Sequence, residues 1–173
     1  MSSSAPEKAR DIYIVGLRNQ HAVENQAIEL LERQVGRLEN YPEMRDRMHR
    51  HIEESREQAR RLEELLARLD TSHSALKDAM MSMVGNLAAL GHSTASDEVV
   101  KNTFANFAFE HYEIASYSSL LTLAELAGDR AALATLNTSL REEKDMAQWI
   151  ADHLDATVRR FVDRSAAGQK AGV

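Results

Sequence analysis

The sequence has no cysteine and few of the residues that build turns and sheets: two prolines, seven glycines and 5% aromatic side chains in 173 residues. The absence of cysteine excludes a disulfide framework, thiolate metal sites and a cysteine nucleophile, and it fits a reducing compartment. Scarce proline, glycine and aromatic residues disfavour a β-sheet and favour long helices. We therefore predict an all-α protein.

A long hydrophobic run and an excess of basic residues are also missing. No apolar run reaches the ~18 residues that a transmembrane helix needs, and the N-terminal MSSSAPEKARD lacks the apolar core of a signal peptide. The formal net charge of −6 argues against nucleic acid or an anionic membrane as the main partner. We expect a cytoplasmic protein with no membrane or nucleic-acid partner.

The hydrophobic and charged fractions, 43% and 28%, are those of a globular domain with a core. Turn and capping residues divide the chain into four long helical segments and a shorter one. We predict long helices from near Pro6 to about Glu39, from the Asn40–Pro42 turn to about Leu69, from near Ser96 to Ala127, and after Asp129. The shorter helix is predicted from Ser72 to Gly91.

Each short turn carries a capping residue. Asn40 precedes Glu43 by three positions, the spacing of a capping box, and Asp129 is a favourable N-cap after Gly128. In the third helix, the predicted buried face contains Val100, Phe104, Phe107, Ile114, Leu121 and Ala124.

These elements predict a ferritin-like four-helix bundle built from two helical hairpins, with the shorter helix in the crossover between them. Short turns make the helices of each hairpin antiparallel, whereas the long link allows the second hairpin to run in either direction. We predict one bundle domain over residues 1–164. Residues 165–173 are small and polar and are predicted to form a flexible tail.

Polar residues interrupt the apolar face of every long helix. They are His21 and Glu24 in the first helix, His51 and Glu54 in the second, Glu110 and Glu113 in the third, and Glu143 in the fourth. A buried carboxylate is costly unless it is paired, so these interruptions indicate a site.

The four interruptions lie at a similar height. Glu24 and Glu54 are 16 and 14 residues from position 40, and Glu113 and Glu143 are each 15 residues from position 128. At 1.5 Å per residue, all four lie about 22 Å from their turns. Both pairs are 30 residues apart, and an offset of 89 superposes Glu24 on Glu113. The pattern indicates a weak internal duplication of one hairpin.

Carboxylates that meet in a dry core repel one another, and divalent cations offset that charge. Two-metal bundles use a Glu on each of two helices and Glu-x-x-His on the other two. Here Glu57 and Met146 occupy the positions of those histidines, so we expect nitrogen donors from elsewhere. We predict a site for two divalent ions, iron or manganese, with the ligands Glu24, His51, Glu54, Glu110, Glu113 and Glu143.

Other interpretations stay open. In one alternative the carboxylates pair with arginine or reach solvent, and His51 is a core-edge residue bonded to Glu24 or Gln58. His21 and Glu57 are additional candidate ligands. Tyr117 lies one turn from Glu113 and would either donate its hydroxyl to that carboxylate or serve as a buried aromatic residue.

The segments HAVENQAIELL, HIEESREQARRLEELL, FEHYEIASYSSLLTLAELAGD and LREEKDMAQWI resemble the YciE/YciF stress-protein family of the ferritin-like superfamily. The resemblance covers roughly residues 10 to 160. It implies a bundle of four long helices, usually dimeric, with a two-metal carboxylate site. Carried over to this chain, the ligands would be Glu24, Glu54, Glu113 and Glu143, with His51 and Glu110 beside them.

Two functions fit these observations. The first is a ferritin-like dinuclear iron or manganese protein that handles oxidants or metal during stress, working as a homodimer. The alternative is a non-catalytic helical bundle that acts as a dimeric scaffold and keeps a degenerate metal site. Convergence of the four mid-helix glutamates would favour the first function, and carboxylates that point to different sides would exclude it.

Overall fold

A computed structural model describes residues 4–69 and 97–172 of the chain. These residues form four α-helices and one 3₁₀ helix: α1 (Ala5–Val35), α2 (Pro42–Arg68), α3 (Glu98–Leu126), the 3₁₀ helix Arg130–Ala132, and α4 (Leu133–Ala166). The predicted helix from Ser72 to Gly91 lies outside the described residues. Within the described ranges, no helix combines the length and hydrophobicity needed to cross a membrane.

The residues that cap the helix N-termini differ from those predicted from the sequence. The Ser4 side chain caps α1, and Glu7 reaches back to the backbone N–H of Ser4 at 2.9 Å. The predicted capping box at Asn40 is wrong, because the N-cap of α2 is Tyr41 and makes no side-chain cap bond. The Asn40 amide instead donates to the Lys170 carbonyl at 3.1 Å.

Asp129 is likewise not a side-chain cap. It precedes the 3₁₀ helix without a cap bond, while its carboxylate accepts hydrogen bonds from Tyr13 at 3.3 Å and Arg68 at 3.0 Å. Gly128 turns the chain with a φ of +80°, a conformation that suits glycine. The α3–α4 turn is therefore fastened to the start of α1 and the end of α2.

The first helices of the two hairpins, α1 and α3, run in opposite directions. Gly16, near the start of α1, lies against Leu120 near the end of α3, and Gln34, near the end of α1, accepts a hydrogen bond from Asn106 near the start of α3. Helix α1 is therefore antiparallel to α3, and α2 runs parallel to α3. The end of α2 and the start of α3 therefore lie at opposite ends of the bundle, as they do in ferritin-like folds.

The apolar core consists of two large clusters on either side of the bundle's mid-height. The cluster near the α3–α4 turn includes Tyr13, Leu17, Leu62, Tyr117, Leu120 and Leu136. The cluster near the α1–α2 turn includes Leu31, Val35, Met48, Val99, Met146 and Ile150. These clusters hold the helices together above and below a polar layer.

On α3, Glu110, Glu113 and Ala124 are buried as predicted, but the other buried positions lie one residue earlier than the predicted apolar ones. Its buried positions include Val99, Thr103, Asn106, Glu110, Glu113, Tyr117, Leu120 and Ala124, which alternate spacings of four and three. Phe104, predicted to be in the core, is 52% exposed. The prediction missed this register because polar residues occupy half of the buried positions, so hydrophobicity alone marks the wrong face.

The C-terminal segment after α4 contacts the α1–α2 turn. The Tyr41 hydroxyl donates to the Ala171 carbonyl at 2.7 Å, and the Arg164 side chain donates to the Lys170 carbonyl at 2.9 Å. The domain bounds and the flexibility predicted for residues 165–173 stay predictions.

Replacing Leu120 with alanine tests the register of α3. Leu120 is 2% exposed, so Leu120→Ala should lower the free energy of unfolding by about 3 kcal/mol through lost burial and a cavity. Leu126 is 61% exposed, and Leu126→Ala should change it by less than about 0.5 kcal/mol. Urea denaturation measures both, and equal effects would contradict the observed register.

Candidate metal centre

A layer of polar side chains crosses the bundle between the two apolar clusters. Each long helix contributes to it, and its fully buried members, at 0–2% exposure, are Gln20, Glu24, His51, Ser55, Gln58, Glu110, Glu113 and Glu143. Polar groups at this depth normally find partners, so their contacts indicate what the layer can bind.

His51 lies at the centre of a three-residue cluster. Its Nε2 is 3.1 Å from a Glu110 carboxylate oxygen and 3.7 Å from a Glu143 oxygen. One ligand atom from each of the three lies within 4.8 Å of the others. Because these residues come from α2, α3 and α4, the cluster depends on the packing of the bundle.

Glu24 and Glu113 occupy the neighbouring side of the layer. One Glu24 oxygen accepts hydrogen bonds from the Tyr117 hydroxyl at 2.5 Å and from the Gln20 amide at 2.9 Å. The same amide reaches Glu113 at 3.2 Å. Tyr117 therefore donates to the carboxylate of α1, and not to Glu113, which was one of the two alternatives left open by the sequence.

Glu54 lies outside this layer. Its carboxylate accepts a hydrogen bond from the Nδ1 side of His51 at 2.9 Å and another from Arg47 at 3.0 Å, and its side chain is 33% exposed. A carboxylate behind a metal-binding histidine fixes the ring and increases its basicity. In this geometry Glu54 orients His51, and direct metal binding by Glu54 stays a prediction.

The weaker candidates point away from the cluster. His21 binds Glu63 at 2.8 Å, and Glu57 pairs with Arg60 at the surface. Glu142, the neighbour of Glu143, pairs with Arg61 at 2.6 Å.

The buried carboxylates lack enough hydrogen-bond donors. Within the described part of the chain, one oxygen each of Glu24 and Glu113 and both oxygens of Glu143 have no hydrogen-bond partner. Such atoms in a native protein call for an explanation.

Burial changes the proton affinity of these groups. It raises the pKa of Glu24 to about 7, although the hydrogen bonds from Tyr117 and Gln20 oppose the change. Burial and neighbouring carboxylates raise the pKa values of Glu113 and Glu143 well above the ordinary range. Burial alone would lower the pKa of His51, but the surrounding carboxylates raise it overall. These shifts favour the protonated forms of the buried carboxyl groups and of His51.

The donor set fits divalent iron or manganese. Carboxylate oxygens and an imidazole nitrogen are the ligands these ions accept, and the oxygens that lack donors supply free lone pairs. Glu110, Glu143 and His51 would hold one ion. Glu24 and Glu113 lie in the same layer, joined by the Gln20 amide, and their part in the site stays a prediction. A metal ion would replace the protons that the raised pKa values indicate.

Fold and site together define a ferritin-like four-helix bundle with a buried carboxylate–histidine cluster. The chain belongs to the family DUF892, a domain of unknown function, which matches residues 8–163. It is 32% identical over 145 residues to Protein YciF of Escherichia coli (strain K12), covering 78% of this chain and 82% of YciF. The predicted family resemblance is confirmed.

Two solved structures share the fold. Protein XCC3681 of Xanthomonas campestris pv. campestris superposes with a TM-score of 0.76 and 30% identity, covering 91% of this chain and 99% of that protein. The E. coli stress protein YciF has a TM-score of 0.71 and 26% identity, covering 88% and 98%.

The sequence prediction missed Gln20, whose amide bridges Glu24 and Glu113. Its position four residues before Glu24 places both on one helical face, which is the signal that could have identified it. Ser55 was also missed, since a single serine in a helix carries no distinctive pattern.

The free energy of unfolding of the metal-free protein should fall as pH rises. A carboxyl whose pKa is raised in the fold, from 4.5 to about 7 for Glu24, contributes stability that is complete below the unfolded pKa and lost as pH rises through the folded pKa. We expect the metal-free protein to lose on the order of 3 kcal/mol of unfolding free energy between about pH 5 and pH 8.

Glu24→Gln keeps the shape of the side chain without its titration, so it should make this profile shallower, while Glu113 and Glu143, whose pKa values are also raised, keep its sign. Chelator-treated protein, unfolded in urea across the pH range, provides the measurement. A wild-type stability that rises toward pH 8 would contradict the expected sign.

Proposed function

We propose that this chain binds two divalent ions, iron or manganese, and uses them in stress-related handling of oxidants or metal. The supporting observation is the set of buried carboxylate oxygens without hydrogen-bond donors beside His51. Similarity to YciF, which is called a stress protein, supports the physiological setting. The cytoplasmic location expected from the sequence is part of this proposal.

The side chains around the cluster would hold it in place and keep it dry. Tyr117 and Gln20 fix Glu24, and Arg47 with Glu54 fixes the ring of His51. The apolar clusters on both sides exclude water, which strengthens electrostatic interactions within the layer. Bound iron or manganese would supply one-electron redox chemistry.

Metal analysis of a matched pair of variants tests this function. After anaerobic loading with Fe(II) or Mn(II), the wild type should retain about two ions per chain, as in two-metal bundles. Glu143→Gln removes a buried carboxylate charge and should reduce retention to one ion or fewer. Asp145→Asn alters an exposed carboxylate two residues further along the same helix, so it should retain the wild-type amount.

The result separates the two functions predicted from the sequence. Near-zero metal in the wild type would contradict the proposal and favour the non-catalytic scaffold. A wild type that retains only one ion, and loses it in Glu143→Gln, would restrict the site to the cluster of His51, Glu110 and Glu143 and contradict its two-metal form.

We also propose that the chain forms a homodimer through α3 and the adjacent part of α1. Between Asn102 and Ala124, no exposed residue of α3 carries a formal charge. Phe104 and Tyr112 on this helix, and Ile12 and Val15 on α1, are about half exposed. An apolar surface of this kind marks an association site, in contrast with the charged outer face of α2.

A charge placed on this surface should disrupt the dimer. Tyr112→Glu introduces a carboxylate at the centre of the α3 face and should shift the mass in light scattering after gel filtration from two chains to one. His49→Glu, on the exposed side of α2, should leave the mass unchanged. A monomeric wild type would contradict the proposal.

A further inference from the structure

An open groove lies where the start of α2 meets the end of α4. It encloses about 480 Å³, and its lining includes Tyr41, Met44, Trp149, His153, Thr157 and Arg160. Trp149 and His153 stack with ring centroids 4.0 Å apart. The groove therefore has a preformed wall at the α1–α2 end of the bundle.

Two small cavities adjoin this groove through shared lining residues. The first, about 10 Å³, shares Met44, Trp149, His153 and Thr157 with the groove and is also lined by Met48 and Met146. The second, also about 10 Å³, shares Met44, Met48, Thr103 and Asn106 with the first. Each has room for roughly one water-sized molecule. Met44 lines all three spaces and forms the junction between surface and interior.

The inner ends of these cavities lie one helical turn from the metal cluster. Met48 precedes His51 by three residues, Asn106 precedes Glu110 by four, and Met146 follows Glu143 by three. Residues at these spacings lie on the same helical face, about 5–6 Å apart. His51 and Glu143 are therefore the next inward residues beyond Met48 and Met146 on the same faces of α2 and α4.

Asn106 provides a polar contact along this route. It is 6% exposed, its amide nitrogen donates to Gln34 at 2.8 Å, and its side-chain oxygen has no hydrogen-bond partner. Because Asn106 lines both small cavities, that oxygen can accept a hydrogen bond from a molecule within them.

We propose that hydrogen peroxide reaches the buried cluster through this route, past Met44 and with a hydrogen bond to Asn106. Peroxide is close to water in size, uncharged, and a hydrogen-bond donor, as the narrow methionine-lined path and the Asn106 oxygen require. Dioxygen has no hydrogen to donate. This inference rests on the proposed metal function, in which two Fe(II), H₂O₂ and two protons would become two Fe(III) and two waters.

Sulfoxidation of buried methionines in the metal-free protein tests the route without any metal chemistry. Peroxide transfers one oxygen to a thioether sulfur and leaves water, so Met48 and Met146, each 1% exposed, report its arrival. Metal-free, folded protein is treated with H₂O₂, and oxidation of each methionine is followed by peptide mass spectrometry. We expect both residues to be oxidised while the fold stays intact.

Two variants and one control locate the route. Asn106→Leu removes the hydrogen-bond acceptor and Met44→Trp narrows the junction. Each should slow oxidation of Met48 and Met146 about fivefold to tenfold, the effect of losing one hydrogen bond or its equivalent along the path. Leu69→Trp places the same bulk at the opposite end of the bundle and should leave the rates unchanged.

The results distinguish peroxide that enters the folded protein from peroxide that reaches the methionines only after unfolding. If peroxide entered only through unfolding, the destabilised variants would oxidise faster than the wild type, which would overturn the proposal. The proposal would also be overturned if Asn106→Leu and Met44→Trp left the rates of methionine oxidation unchanged. It would be overturned as well if Met48 and Met146 stayed unoxidised in the wild type.

In protein loaded with Fe(II), Asn106→Leu should slow the oxidation of iron by peroxide but not by dioxygen. Equal slowing with both oxidants would exclude a hydrogen bond between peroxide and Asn106. A chain that binds no metal would defeat the proposed function while leaving the methionine result intact.

Discussion

Carboxylates buried away from water, with too few hydrogen-bond donors, are the constraint on which the rest of this structure depends. Glu24, Glu113 and Glu143 are all 0% exposed, and each keeps at least one oxygen without a donor. Ions in such surroundings cost several kcal/mol each unless opposite charge offsets them. The layer is therefore stable near neutral pH only with protons or metal ions in it, and the apolar clusters on either side must supply the energy that keeps it closed.

The two hairpins supply that layer unequally, although their sequences indicate a duplication. Glu143 is fully buried, whereas its counterpart Glu54 is partly exposed and binds the outer side of His51. With the offset of 89, the position in the second hairpin that corresponds to His51 is Leu140, and the position in the first hairpin that corresponds to Glu110 is His21. The histidine and the extra carboxylate of the cluster thus come from different hairpins and meet because the hairpins pack antiparallel. A single imidazole among several carboxylates results, and this composition favours hard, divalent ions.

Much of the fold was predictable because helix length, turns and mid-helix carboxylates are local features. The height of Glu24 and Glu113 followed from the constant rise of the helix, and both lie in the layer. The rotation of α3 was predicted only in part. Glu110, Glu113 and Ala124 are buried as expected, but Thr103 and Asn106 occupy core positions where hydrophobicity indicates Phe104 and Phe107 instead. Capping was misjudged at Asn40 for a related reason: its side chain binds the distant C-terminal segment.

By itself the sequence determined an all-α bundle of two hairpins, with one acidic interruption per helix at a shared height, since periodicity and rise are properties of the chain alone. Only the tertiary structure decided which side chains face one another. Adjacent residues on a helix point in directions about 100° apart. Packing fixes the rotation of α1 about its axis, so that Gln20 joins the layer while its neighbour His21 contacts Glu63. The same packing brought His51, Glu110 and Glu143 together from three helices, since no local pattern fixes the distance between residues on separate helices.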